Sequence, residues 1–109
     1  MTADRRVDLL AELVGVTEAQ VVAARELRVD ELVALNARHA DVAFELRVAF
    51  QDPLPDDAEL KGALRALLER QRRAENRLSK VAGSVLGVIG KVLPSGPAPA
   101  YGRRGTRVA

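Results

Sequence analysis

Cysteine and tryptophan are absent from this chain of 109 residues, which excludes disulfides, thiolate metal centres and cysteine nucleophiles. Aromatic residues make up only 3% of it, too few for an ordinary β-sandwich or for a module that stacks nucleic-acid bases. Histidine occurs once, as His39, with Leu35 and Ala43 four residues to either side, so no metal set or acid–base pair forms around it on a helix. The longest nearly uncharged apolar stretch, Val81 to Leu93, falls short of the about 20 residues that span a bilayer. No signal-peptide core follows Arg5 and Arg6, because Asp8 and Glu12 interrupt the apolar positions. The expected location is cytoplasmic.

What is present favours helix. Alanine, leucine, arginine and glutamate dominate, and a hydrophobic content of 48% is too high for a wholly disordered chain. The formal net charge of +2 conceals a division: residues 1–60 carry 6 basic and 13 acidic side chains, whereas residues 61–109 carry 11 and 2. Such halves can pair with each other or face different partners.

Apolar spacing predicts an all-α fold, an antiparallel hairpin of two long helices with a flexible C-terminal tail. Helix one covers about residues 4–51, with seam positions Val7, Leu10, Val14, Val21 and Ala24, then Leu32, Leu35, Val42, Leu46 and Ala49. The two sets are out of phase by a stutter around Arg25–Arg28, which relaxes supercoiling without ending a helix. Gly15-Val16-Thr17 is a second weak point, since Thr17 and Gln20 have capping-box spacing and allow a break and restart. A turn at 52–56 holds Pro53 and Pro55, and Asp56 with Glu59 forms a candidate capping box for helix two. Helix two, about 57–92, has the seam Leu60, Leu64, Leu67, Gln71, Ala74, Leu78, Val81, Val85, Val88 and Val92. Arg65, Glu69 and Arg73 have pairing distance on its outer face. Residues 1–93 thus form the hairpin, and 94–109 a disordered tail rich in proline, glycine and arginine.

No catalytic constellation emerges, so the chain reads as a non-enzyme without metal or cofactor. Gly83, Gly87 and Gly90 have no preceding strand and lack the spacing of a phosphate-binding loop. Within a helix each costs about 1 kcal/mol relative to alanine. Two readings of this segment stay open: a small-residue face for close packing on helix one or a dimer mate, or a marginal helix that orders when a partner covers it. The basic clusters Arg70–Arg73 and Arg103–Arg107 lack interleaved aromatics, so nucleic acid is the less favoured partner.

Leu64-Arg-Ala-Leu-Leu-Glu-Arg with Asn76 downstream, the small-apolar stretch to Leu93, and Pro97-Ala-Pro-Ala-Tyr101-Gly102 together resemble the FlgN family of flagellar export chaperones. The resemblance extends over essentially the whole chain and lies in the order and spacing of these segments. The first helix departs from the family in lacking a glutamate-rich leucine repeat, and the tail departs in carrying Arg103, Arg104 and Arg107. The resemblance implies type III protein export: binding of C-terminal amphipathic helices of hook–filament junction proteins (FlgK/FlgL-like) and delivery to an FlhA-like export gate. It implies a client surface at Val81, Val85, Leu86, Val88, Ile89, Val92 and Leu93, with Tyr101 docking at the gate. A homodimer is compatible with so thin a hairpin, and a self-assembling helical adaptor is the other reading of the same pattern.

Overall fold

Asp4 sets the start of the first helix: its backbone is extended and its carboxylate accepts the backbone N–H of Arg6 at 2.7 Å. The structure is a computed structural model that describes residues 4–92, with side chains described as far as Ser84. It is all-helical over those residues, with α1 at Arg5–Arg25, α2 at Val29–Ala49 and α3 at Ala58–Val92. The expected fold class holds as all-α, but the two-helix hairpin does not. The segment 4–51 is itself a hairpin, so the chain runs up, down and up through three helices.

The break comes at the stutter. Glu26 caps α1, Leu27 takes the left-handed conformation at φ 56°, and the N–H of Arg28 returns to the carbonyl of Ala23 at 2.9 Å. With Leu27 N–H bonded to Ala24 O, this is a Schellman ending built without glycine. Arg28 then pairs with Glu26 and Glu31 on either side of the turn. At Gly15–Thr17, by contrast, α1 is continuous. The Thr17 hydroxyl donates to Leu13 O at 3.0 Å in mid-helix, so it does not cap a restart.

Beyond α2 the two prolines end helical geometry, as expected. The cap of α3 is Asp57 rather than Asp56: its Oδ1 accepts the N–H groups of Glu59 and Leu60 at 3.0 and 3.1 Å. Asp56 instead pairs with Lys61. Glu69 pairs with Arg72, three residues on, in place of Arg65 or Arg73.

Helix α1 is central. Arg5–Glu45 and Glu12–Arg38 tie it antiparallel to α2, while Thr17 beside Gln71 and, further along, Arg25 beside Lys80 and Val81 set it parallel to α3. The Cα atoms of α2 and α3 stay more than 8 Å apart among the described residues. A helix between two others must bury two columns. Leu9, Leu13, Val16, Gln20 and Ala23 form one, and Leu10, Val14, Thr17, Val21 and Ala24 the other. The core gathers Leu9, Leu10, Leu13, Val42 and Leu64, with Leu46, Leu60 and Leu67 against it. The α3 seam follows the sequence expectation: Leu64, Gln71 and Ala74 are buried, and Leu60, Leu67, Leu78 and Val81 half-buried.

Arg6 fastens the open end of the bundle. It is only 7% exposed, yet its guanidinium bonds Asp4 and the carbonyls of Asp52 and Pro53, and lies 5.7 Å from the Phe50 ring centre. Asp4 holds the Arg6 guanidinium above its ordinary pKa, chiefly through the side-chain hydrogen bond.

Candidate functional site

The register of α3 against α1 determines where α3 outruns the other described helices. Thr17 meets Gln71, a separation of 54 residues, and Arg25 at the end of α1 lines a recess with Lys80, Val81 and Ser84. That recess has a volume of about 290 Å³. Helix α3 nevertheless continues to Val92. Its last eight residues, about 12 Å of helix, lie past the end of α1 along their shared direction.

Val81 is therefore placed at the junction, half-buried where α1 ends. Val85, Leu86, Val88, Ile89 and Val92 belong to the last turns of α3, and their side chains lie outside those described. Leu93, Tyr101 and the expected tail at 94–109 lie outside the described residues altogether. A Cβ added to Gly83 would meet nothing within 4 Å, so close packing within the chain does not require glycine there. The close-packing reading of this glycine against helix one is thus corrected. The space beside it is open.

A second surface was not anticipated. Helix α2 turns Leu32, Leu35, His39, Val42, Leu46 and Ala49 inward, all buried or half-buried. On nearly the opposite side stand Val29, Val33, Ala37, Ala40, Phe44 and Val48, every one exposed. At 100° per residue the two columns are about 160° apart. Val29 is 66% exposed, Val33 62% and Phe44 59%, so large apolar side chains form a stripe rather than a scatter. The signal was present in the sequence as a second run of three- and four-residue steps through the same helix. It was hidden because the inward column already accounted for the helix.

Beside this stripe, Phe44, Val48 and Ala49 line a groove of about 470 Å³ with Leu9, Arg5 and Arg6 of α1. His39 is half-buried in the inward column, and the described residues contain no cluster of three or more metal-ligating side chains. No helix among them is long and apolar enough to cross a membrane.

Of the two outcomes open to the charge division, pairing between the halves is sparse among the described residues. Among the described residues, Glu18–Arg70 is the only ion pair that joins α1 or α2 to α3, and Asp56–Lys61 adds a local one at the start of α3. The other interhelical pairs lie within the acidic half, between α1 and α2. Arg65, Arg73, Arg77 and Lys80 are exposed along α3, leaving most of its positive charge facing outward. No protein-family model, curated protein or solved structure matches this chain, and the FlgN resemblance rests on the residues of the sequence alone.

Proposed function

We propose that this protein is a small cytoplasmic chaperone that covers an amphipathic helix of an exported protein with the last turns of α3. The observation that carries this reading is the overrun of α3 past the end of α1, in the segment where the sequence is richest in valine, leucine, isoleucine and glycine. An apolar helix end without a neighbouring helix among the described residues is suited to receiving a partner helix in a groove-and-ridge contact. The open space beside Gly83 supports close approach there.

Following the FlgN resemblance, the client is the C-terminal helix of a flagellar hook–filament junction protein. Val81, Val85, Leu86, Val88, Ile89, Val92 and Leu93 cover its apolar face, and Tyr101 serves transfer to the export gate. A self-assembling helical protein is the second reading, favoured by the exposed apolar face of α2.

Calorimetry with the full chain and a junction-protein C-terminal helix tests the first reading. Replacing Val85 and Ile89 with aspartate is expected to abolish binding while leaving the helical signal of the rest intact. Undiminished affinity in that variant would remove the client from α3.

A further inference from the structure

We propose that Arg25 and Lys80 form a cationic clamp at the end of α1 that receives an acidic side chain of the client helix. The inference rests on the client reading of α3 and adds the chemistry by which that site selects among apolar helices.

The fold brings the two cations together from different helices. Both line the recess of about 290 Å³ where α1 stops, together with Val81 and Ser84. Neither has an acidic residue at helical pairing distance. Three and four positions from Lys80 stand Arg77, Asn76, Gly83 and Ser84; from Arg25 they are Val22, Val21, Arg28 and Val29. Neither cation joins an ion pair among the described residues. The carboxylates nearest to them in sequence are engaged elsewhere: Glu26 pairs with Arg28, Glu18 with Arg70, and Glu75 accepts from Gln71. Asp30 stands in the first turn of α2, where the helix start favours its charge. The C-terminal end of α1 likewise favours Arg25, but Lys80 lies in mid-helix and gains nothing from a helix end.

The segments outside the described residues carry no acidic side chain. Residues 1–3 are Met, Thr and Ala, and the charged side chains from Leu93 to Ala109 are Arg103, Arg104 and Arg107. Glu75 is the last acidic residue of the sequence. Two like charges in one recess repel each other, and an anion brought by a partner reverses that cost.

Val81 decides which kind of anion fits. It shares the recess and is half-buried at the start of the overrun, so the bound group is an anion beside an apolar surface. A phosphate backbone offers charge without an apolar face, and no aromatic side chain lines the recess for a base to stack on. A lipid surface offers both, but as a plane, whereas a recess between two helices admits a side chain. An amphipathic helix with glutamate or aspartate at the α1 end of its apolar face meets both conditions. Such a helix also excludes water from the recess, which strengthens the attraction beyond that of an exposed pair.

Calorimetry of the full chain tests this with a junction-protein C-terminal helix in two forms, natural and with its acidic residues replaced by their amides. The natural form is expected to bind about tenfold more tightly than the amide form. Arg25→Gln with Lys80→Gln, both at exposed positions, is expected to weaken the natural form to the affinity of the amide form and to leave the amide form unchanged. Equal binding of the two forms by the wild type overturns the clamp and leaves the client reading standing. A natural form that does not bind at all overturns both. A double variant that still prefers the natural form places the acid elsewhere and overturns the clamp. An oligouridine, or vesicles containing phosphatidylserine, that bind the wild type more tightly than the natural helix does and are lost in the double variant assign the recess to phosphate, which also overturns it.

Discussion

The side-chain amide of Gln71 donates to the Thr17 hydroxyl at 2.9 Å, joining α3 to α1 inside the bundle. Both residues are buried at seam positions that elsewhere carry leucine, valine or alanine. Thr17 passes the chain on by donating to Leu13 O, and Gln71 also donates to Glu75, but the Gln71 Oε1 accepts nothing among the described residues. A polar pair in an apolar seam sets register, because any slip of α3 along α1 leaves both groups without each other.

The two ends of this bond are not equivalent. Thr17→Val removes the acceptor and leaves a buried amide short of a partner, an expected loss of about 1–2 kcal/mol. Gln71→Leu removes the unpartnered oxygen together with the amide, and Thr17 keeps its bond to Leu13; stability is expected within about 1 kcal/mol of wild type. Urea denaturation of both variants and the double variant gives the comparison. Equal losses in the two single variants would show that the orphaned oxygen carries no cost.

Acid should loosen the start of α1. The side-chain hydrogen bond from Arg6, followed by the backbone N–H of the same residue, holds the Asp4 carboxyl below its ordinary value of 3.8. A carboxyl lowered in the folded state contributes stability that is complete above its unfolded pKa and is lost as pH falls through the folded one. Asp4→Asn retains an acceptor for the helix start and removes the titration. Its urea midpoint, relative to wild type, is therefore expected to be lower at neutral pH and to converge as the pH falls below 3.8. A constant difference across that range would contradict the assignment.

The Glu18–Arg70 pair is half-exposed on both sides, and its effect should be small despite its place between the acidic half and the basic helix. Arg70→Ala is expected to cost less than about 1 kcal/mol. Molar salt should erase most of the difference between variant and wild type, which thermal melts at low and high ionic strength measure.

The parts of the fold that bury one face were legible, and those that bury two were not. In α3 the apolar steps run from Leu60 to Val81 and coincide with the buried side of the helix, because a single seam of α3 faces the rest of the bundle. In α1 the expected column of Val7, Leu10, Val14, Val21 and Ala24 accounts for one contact alone. The other column passes through Leu9, Leu13 and Gln20, and Thr17 and Gln20 disguise both as polar positions. The same superposition of two columns hid the outer face of α2. Of the expected client surface, Val81 lies where α1 ends, and the side chains of the remaining residues lie outside those described.

Leu27 explains the missed helix boundary and supplies the last prediction. A helix that ends in a left-handed residue ordinarily announces itself with glycine, since a Cβ in that conformation costs about 1–2 kcal/mol. Here the position holds a leucine at φ 56° that is 65% exposed, so its side chain contributes little burial in return. What fixes the turn is backbone bonding from Leu27 and Arg28 to Ala24 and Ala23, together with the column shift that α2 needs in order to fold back. Leu27→Gly keeps both bonds and removes the strain, while the unfolded chain gains some freedom. The net expectation is a stabilisation of about 1 kcal/mol, read as a higher urea midpoint at unchanged slope. Leu27→Val, β-branched and still harder to place at positive φ, is expected to move the midpoint in the opposite direction. A destabilised glycine variant would mean that the α1–α2 turn does not use the left-handed conformation, and that the two segments run on as one helix.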